Sequence, residues 1–231
     1  MPPSFAQMLE RVGPVVAAVV IVLALLVVLP DDEDDEDDSA SSGPAPTEAF
    51  LTAYERSRTV EVVVESVFTR TFPDGRELSY DQRLVQRPPD DRLVIGAGSA
   101  SGRIDGRVVR CNAAPDAGAP NCVQGAEATP YDEEVAAEVG ELARIVDPDE
   151  GAYDVTIDDD GCFELTLAVQ ILTPPYGLSS TFCFDDPSGA LDRLDVVRPE
   201  ATDHTEATAI RTEVTATDLR AGDLGEPVAT G

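Results

Sequence analysis

The sequence contains no lysine and no tryptophan, and it has a single histidine, His204. All sixteen basic residues are therefore arginine, and they stand against 45 acidic residues, which gives a formal net charge of −29 at pH 7. A protein that binds nucleic acid needs a basic surface for the phosphates, so this charge argues against that class of function. It also argues against adhesion to anionic lipid headgroups. Apolar residues make up 42% of the 231 residues, which is enough for a folded core.

Residues that commonly carry out catalysis or bind metals are also scarce. His204 lies in a polar stretch that predicts an exposed connection, and the sequence has no G-x-S-x-G motif. The glycine-rich stretch Gly96–Gly102 misses the dinucleotide-binding spacing, because its third glycine comes one place late and a hairpin follows. Asp158–Gly161 is typical of a hairpin turn and lacks the flanking carboxylates of a calcium loop. We therefore predict a protein that is not an enzyme and has no metal or cofactor, with a carboxylate-based hydrolase as the remote alternative.

A long apolar run lies near the amino terminus. Val15–Leu29 contains fifteen consecutive apolar residues, and Val12–Leu29 would span roughly 27 Å as a helix, close to the thickness of a bilayer core. A cleaved signal peptide requires small residues directly after such a run, and here Pro30 and eight acidic residues follow. We therefore predict an uncleaved transmembrane signal-anchor over residues 12–30, after a short cytoplasmic segment, 1–11.

Residues 31–46 have the composition of an acidic, Pro/Ser-rich linker. Asp31–Asp38 contains only acidic residues, whose mutual repulsion favours an extended chain, and Ser39–Pro46 has little to bury. A spacer is the main interpretation, and binding of calcium or of a cationic wall polymer is the alternative. The four cysteines all follow the apolar run, as expected for an oxidising compartment. The prediction is a single-pass cell-membrane protein whose C-terminal domain is extracytoplasmic.

Residues 47–219 predict one α+β domain, and residues 220–231 predict a flexible tail. The apolar residues of Thr47–Ser57 have the spacing of a short amphipathic helix. After Thr59 the apolar period changes to two, which is typical of strands. A second helix is expected after Thr129, since Thr-Pro followed by acidic residues is a common helix start.

Several turn motifs join the predicted strands into hairpins. Pro73–Gly75 and Asp105–Gly106 are Asp-Gly turns, which suit the positive φ angles of tight hairpin connections. Alternating apolar residues predict a strand over Cys162–Leu172 and a last strand over about Glu206–Thr217. The spacing therefore predicts a largely antiparallel sheet.

The cysteines can be paired from the strand pattern. If Cys162 lies opposite Cys183 in an antiparallel hairpin, Phe163 lies opposite Phe182 and both apolar faces point to the same side. The other pair, Cys111–Cys122, would then close a short loop. Metal binding is the alternative for the four cysteines, but no CxxC motif and no nearby histidine favours it. We therefore predict two structural disulfide bonds.

The order of these elements resembles a known superfamily. A leading helix, long antiparallel strands, the phrase Arg87–Leu93, the hairpin Ile104–Val109, a middle helix and the segment Phe182–Leu191 follow one another. This pattern is similar to the lipoprotein-carrier superfamily, which includes outer-membrane lipoprotein carriers, RseB-type sensors and mycobacterial lipid-binding lipoproteins. The resemblance covers most of residues 47–219. It implies a curved antiparallel sheet, a half-open β-barrel, with helices against its concave face and a cavity for acyl chains.

One departure from that pattern limits the functional expectation. The relatives are lipid-modified or free in solution, whereas this chain has a predicted protein anchor, which argues against a shuttle between membranes. We predict a tethered module that binds a lipid or another apolar ligand, with an envelope protein–protein interaction or sensor domain as the alternative. In a further alternative, the apolar strand faces are simply filled core. The predicted ligand-binding residues are Val60, Val62, Val64, Phe163, Leu165, Leu167 and Val169.

Overall fold

A computed structural model describes residues 44–112, 121–220 and 228–229. The chain divides into two units, residues 1–42 and 43–231, and all described residues belong to the second.

Several predicted segments lie outside the described residues. These are the cytoplasmic segment 1–11, the transmembrane span 12–30, most of the linker 31–46 and most of the tail 220–231. Within the described ranges, no helix is long and apolar enough to cross a bilayer.

Two helices form at the predicted places. Helix α1 is Pro46–Thr59 and helix α2 is Tyr131–Ile145. Proline in the first turn of α1 suits the fixed φ of that residue, and three acidic residues in the first turn of α2 favour the positive end of the helix dipole. α1 agrees with its predicted bounds within two residues at each end.

Twelve strands complete the fold. They are β1 Val62–Thr71, β2 Glu77–Arg87, β3 Asp91–Gly96, β4 Ser99–Ile104, β5 Arg107–Asn112, β6 Asn121–Glu127, β7 Tyr153–Ile157, β8 Phe163–Leu167, β9 Ser179–Phe184, β10 Leu191–Val197, β11 Thr202–Arg211 and β12 Val228–Ala229.

The strands form one sheet in the order β12-β6-β5-β4-β3-β2-β1-β11-β10-β9-β8-β7. Every neighbouring pair is antiparallel except β12 and β6. The two ends of this order do not meet, so the sheet is open. α1 and α2 contact each other and contribute residues to one core cluster with β7, β8 and β9. The architecture agrees with the predicted α+β class and fits a curved sheet with helices against it.

The predicted turns and disulfide register are confirmed. Gly75 and Gly106 have φ angles of 82° and 67°, which are accessible to glycine at little cost. Phe163 lies opposite Phe182, as the proposed hairpin requires. The disulfide bonds Cys111–Cys122 and Cys162–Cys183 are both formed, with Cα–Cα distances of 4.0 and 4.4 Å.

Two predicted strands are wrong in extent. The strand expected to run to Leu172 ends at Leu167, where the chain leaves the sheet. The strand predicted as the last one, over about Glu206–Thr217, is β11, which begins at Thr202 and ends at Arg211. The carboxylate of Asp218 explains the early end of β11, because it binds Arg211 and accepts hydrogen bonds from Thr215 N and Oγ1, which folds the following residues into a turn.

Strand β1 is buried on both faces at its start. Val63 packs on one face with a cluster that includes Val85 and Leu93 and is covered by residues 214–219. Val62 and Val64 point to the opposite face and are also buried. A period of two after Thr59 is typical of a strand with one face towards solvent. The start of β1 is instead buried on both faces, because residues 214–219 cover the second face.

Candidate functional site

The predicted ligand-binding residues Val60, just after α1, and Val62 and Val64, in β1, belong to a small core cluster. Val62 and Val64 are buried beside Ala190, and Val60 and Ile210 pack against them. These contacts are those of an ordinary core. Neither of the two best-formed clefts of the described residues is lined by these valines.

The four predicted ligand-binding residues in or just after β8 lie in a different part of the structure from these valines. Phe163 and Leu165 are buried beneath the helices, and Leu167 is half-buried at the edge of the same core. Val169 follows the end of β8 and is exposed. These four residues therefore run from the buried core to the surface. They belong to a different cluster from Val60, Val62 and Val64.

Helices α1 and α2 cover a cluster of apolar side chains on the β7–β9 part of the sheet. The ring of Phe50 in α1 lies 5.4 Å from that of Phe163 and 5.2 Å from that of Phe182, measured between centroids. Such tilted aromatic contacts stabilise a core beyond the burial of their area. We call this group the apolar cluster. Its buried members are Phe50, Leu142, Val146, Tyr153, Phe163, Leu165 and Phe182.

The segment 168–178 between β8 and β9 has an unusual composition for this protein. It contains no charged residue, although charged residues make up 26% of the chain. Leu172 is fully exposed at 102%, and Val169, Ile171 and Leu178 are also exposed. We call this segment the apolar loop. Exposed apolar groups of this kind mark surfaces that contact another apolar partner.

The apolar loop is held against the apolar cluster at both ends. Leu167, just before the loop, and Tyr176, within it, pack against the cluster. The hydroxyl of Tyr153 donates to the carbonyl oxygen of Gly177 at 2.7 Å and accepts from the Tyr176 N–H at 3.1 Å. Burial raises the pKa of the Tyr153 and Tyr176 hydroxyls above their usual range. Exposed apolar residues of the loop are therefore contiguous with the buried cluster.

Polar residues occupy the other end of the helix pair. Arg58 at the end of α1, Arg92 in β3 and Arg103 in β4 lie near Tyr131 at the start of α2. Arg92 and Arg103 are directly opposite each other in the sheet. We call these three residues the arginine cluster. The sheet register places two like charges side by side, an arrangement that costs stability unless anions are near.

Two glutamates of α2 partly neutralise the arginine cluster. Arg58 Nη1 lies 2.7 Å from Glu138 Oε2, and Arg58 Nη2 lies 3.4 Å from Glu134 Oε1. Arg103 pairs with the other oxygen of Glu134 and donates to the carbonyl oxygen of Thr129 at 2.8 Å. The guanidinium groups of Arg58 and Arg103 also lie 5.9 and 5.1 Å from the Tyr131 ring centroid, within cation–π range.

Arg92 differs from the other two arginines. Among the described residues no carboxylate lies within ion-pair distance of its guanidinium, whereas Arg58 and Arg103 are both paired. Its Nε, like that of Arg58, is buried without a hydrogen-bond partner, and burial together with the nearby Arg58 lowers the pKa of the Arg92 guanidinium. Arg92 and Arg103 line a cleft of about 320 Å³ together with Glu134 and Thr129. A second cleft, of about 430 Å³, has a mostly polar and charged lining that includes Glu65, Asp81 and Arg83.

A buried polar network fixes the end of α1 beside this cluster. The fully buried Gln86 donates from Nε2 to the carbonyl oxygens of Ser57 and Val60, at 2.9 and 2.8 Å. The hydroxyl of Tyr131 donates to the carbonyl oxygen of Arg58 at 2.7 Å. These bonds satisfy carbonyl groups that a helix end leaves unpaired, and they fix the position of Arg58.

The arginine cluster was not predicted from the sequence. Its members come from two strands and a helix that are separated along the chain, and no motif joins them. The signal that was available is the alternation in β3, which places Arg92 on the opposite face from the buried Leu93. A cationic residue in that position predicts a solvent-facing side chain, so the sequence alone did not indicate that α2 lies over it.

His204 occupies a different position from the one predicted. It lies within β11 and not in a loop, and its side chain is only 39% exposed. Its Nδ1 contacts Asp195, and its Nε2 lies 3.4 Å from Glu206. The hydrogen bond to Asp195 raises the pKa of His204. In the described part of the chain, no group of three or more metal-ligating side chains is placed to hold a metal ion.

Comparisons with known proteins give likenesses of fold at low identity. No protein-family model and no curated protein matches the sequence. A LolA superfamily protein from Nitrosomonas europaea is 8% identical, with a TM-score of 0.32, and the match covers 75% of this chain and 96% of that one. LprF from Mycobacterium bovis is 14% identical, with a TM-score of 0.34 and coverages of 74% and 96%.

A third similar structure is MucB in complex with MucA(peri). It is 12% identical, with a TM-score of 0.40, and the match covers 80% of this chain and 61% of that one. The likeness of this chain to these three structures is weak. At these identities and TM-scores it assigns no ligand and no partner to this chain.

Proposed function

We propose that this chain is a membrane-tethered extracytoplasmic binding module for a lipid or another apolar ligand, and that it is not an enzyme. The observation that carries the proposal is the continuity between the exposed apolar loop, 168–178, and the apolar cluster under α1 and α2. The ligand's apolar part contacts the loop first and then enters between the helices and β8. Four of the predicted ligand residues, Phe163, Leu165, Leu167 and Val169, lie along this route.

The tether in this proposal is the apolar run at residues 12–30. The following residues, 31–45, would reach at most about 50 Å when fully extended, which is an upper limit on the length of this spacer. The two disulfide bonds support an oxidising compartment, because disulfides are rare in the cytosol.

The test uses residues 43–231, produced in an oxidising compartment and examined by native mass spectrometry and organic extraction. We expect acyl lipid at a defined stoichiometry. Leu172→Ser removes the most exposed apolar side chain of the loop and should reduce the bound fraction several-fold. Leu78→Ser is the matched control, because Leu78 is 50% exposed on the distant strand β2. Protein that emerges free of lipid and takes up none from mixed vesicles would contradict the proposal.

A protein partner is the second candidate function, and one observation favours it. Strand β7 lies at the end of the sheet and, among the described residues, has no neighbour on its outer side. Ile157 is exposed on this strand, and an open edge of this kind can accept a strand from another chain. Lipid-free protein that captures an envelope partner, with capture abolished by Thr156→Pro, would favour this function.

A further inference from the structure

We propose that Arg92, with Arg58 and Arg103, forms an anion-binding site for a phosphate or carboxylate group in the cleft beside α2. The site lies outside the apolar cluster. It is built from the arginine cluster, whose members come from α1, β3 and β4 and point to the helix-bearing face.

The charges of the arginine cluster are not balanced by the protein. Three guanidinium groups face two carboxylates, those of Glu134 and Glu138, and both carboxylates are engaged by Arg58 or Arg103. Glu127 also lines the cleft, but it is exposed to water. Within the described residues, no carboxylate comes within ion-pair distance of Arg92 and no acceptor binds its Nε. A buried cation without a partner is costly, and a bound anion removes that cost.

The shape of the site suits a small anion. The cleft of about 320 Å³ is large enough for a phosphate group and is bordered by Arg92, Arg103 and Thr129. Arginine binds planar or tetrahedral oxyanions through two parallel N–H donors, which a lysine does not offer. The net charge of −29 disfavours anions over the whole surface, but in this cleft Arg92 and Arg103 stand beside Glu134, which already pairs with Arg103, and the exposed Glu127.

The position of the site relative to the apolar cluster indicates which anion it holds. Arg58 follows Phe50 by eight residues, which is about 12 Å along α1. Tyr54 lies between them and packs against the apolar cluster. A ligand with its apolar part in the cluster would therefore place its headgroup at the arginine cluster. This last step rests on the proposed function, whereas the anion site itself does not.

The test measures thermal unfolding of the full chain in an uncharged amphipol at constant ionic strength. The probes are inorganic phosphate, dihexanoyl phosphatidic acid and dihexanoylglycerol, which has no phosphate. We expect both phosphate-bearing probes to raise the Tm, and Arg92→Gln to weaken their apparent affinity by about tenfold or more. Arg110→Gln is the matched control, since Arg110 is an exposed arginine of β5. Arg92→Lys keeps the positive charge but removes the paired N–H donors of the guanidinium, and it should give an intermediate loss of affinity.

The outcomes separate this inference from the proposed function. Phosphatidic acid that binds more tightly than phosphate and loses affinity in Arg92→Gln supports a headgroup site. Equal affinities that are lost in Arg92→Gln support a site for a free anion. If dihexanoylglycerol binds but neither phosphate probe does, or if Arg92→Gln and Arg92→Lys both bind phosphate like the wild type, the anion site is refuted while the proposed function stands. Equal binding of phosphate and phosphatidic acid, without any binding of dihexanoylglycerol, refutes the proposed function alone.

Discussion

Arginine serves as a forked donor at several points of this structure. Arg70 binds both oxygens of Asp203, with Nε–Oδ1 and Nη2–Oδ2 distances of 2.5 and 2.6 Å. The Asp218 carboxylate accepts from Arg211 and from Thr215, and these bonds hold its pKa well below the usual range. A lysine would supply a single point charge in each place, without the paired geometry. The absence of lysine therefore fits a chain whose few bases form directional contacts among many acids.

His204 makes the stability of the protein depend on pH. Its hydrogen bond to Asp195, and a weaker contact with Glu206, raise its pKa above the unfolded value of about 6.5. The protonated form is therefore favoured by folding. The resulting stabilisation is fully present below about pH 6.5 and is lost as the pH rises through the folded pKa. Because the side chain is partly exposed, we expect His204→Gln to cost about 1 kcal/mol or less at about pH 5.5 and almost nothing at about pH 9.

Urea unfolding of wild type and His204→Gln between these pH values measures this effect. Asp195→Asn should show the same pH-dependent loss, together with a pH-independent loss from its ion pair with Arg193, and adding His204→Gln to Asp195→Asn should cost nothing further through this contact. A constant difference across the pH range would mean that the histidine acts through packing and not through its charge.

The hairpin of β8 and β9 is held by two kinds of contact. Phe163 and Phe182 lie opposite each other in the apolar cluster, and on the same two strands Cys162 and Cys183 are covalently joined. The disulfide spans 21 residues of sequence, and in the chain-entropy account a loop of this size gives about 3 kcal/mol. We expect the Cys162→Ser/Cys183→Ser variant to lose about that much stability in urea unfolding. It should keep the native far-UV CD spectrum, because the apolar contacts remain.

Reduction of the disulfide provides a control for that substitution. In a Cys111→Ser/Cys122→Ser background, where Cys162–Cys183 is the remaining disulfide, reduction should cost the same stability as adding Cys162→Ser/Cys183→Ser to that background, since each step removes only this cross-link. A double variant as stable as the oxidised wild type would show that the aromatic pairing alone determines the stability of the hairpin.

Local elements of the fold were predictable where the sequence encodes them locally. The Asp105–Gly106 turn fixes a hairpin through the φ angle of its glycine, and the alternation around Cys162 and Cys183 fixes the disulfide register. The end of β8 was missed because alternation continues in sequence to Leu172, although only residues up to Leu167 find a partner strand. Strand ends depend on distant partners, which a local pattern does not contain.

At the scale of the whole molecule, contacts between residues far apart in the sequence determine features that the local sequence pattern does not predict. The outer face of Val63 is covered by Val214 and Leu219, which lie some 150 residues further along the chain. The arginine cluster likewise needs β3 and β4 to pair and α2 to pack over them before Arg92 meets its neighbours. The apolar residues of β8 were predictable as one face of a strand because they alternate with polar residues along the sequence. The arginines were not, because only the fold brings them together.

Net charge is also a property of the whole molecule, and it predicts how salt affects stability. Without the eight acids of Asp31–Asp38, the rest of the chain still carries a formal charge of −21. Folding brings these negative charges closer together than they are in the unfolded chain, and their repulsion destabilises the folded state. Salt also weakens ion pairs such as Arg70–Asp203, but these are few beside the excess of acids. We therefore expect sodium chloride, raised from about 0.02 M to about 0.5 M, to stabilise the protein.

The expected size of this effect is a rise in Tm of several degrees, since about 1 kcal/mol shifts the Tm of a domain of this size by about 2–4 °C. Differential scanning calorimetry of the purified protein at neutral pH measures it. Sucrose at the same osmolality is the control for effects on hydration, and it should raise the Tm less than the salt does. A Tm that falls with sodium chloride would show that the arginine ion pairs outweigh the repulsion among acids, which would make the paired arginines the main electrostatic contribution to the fold.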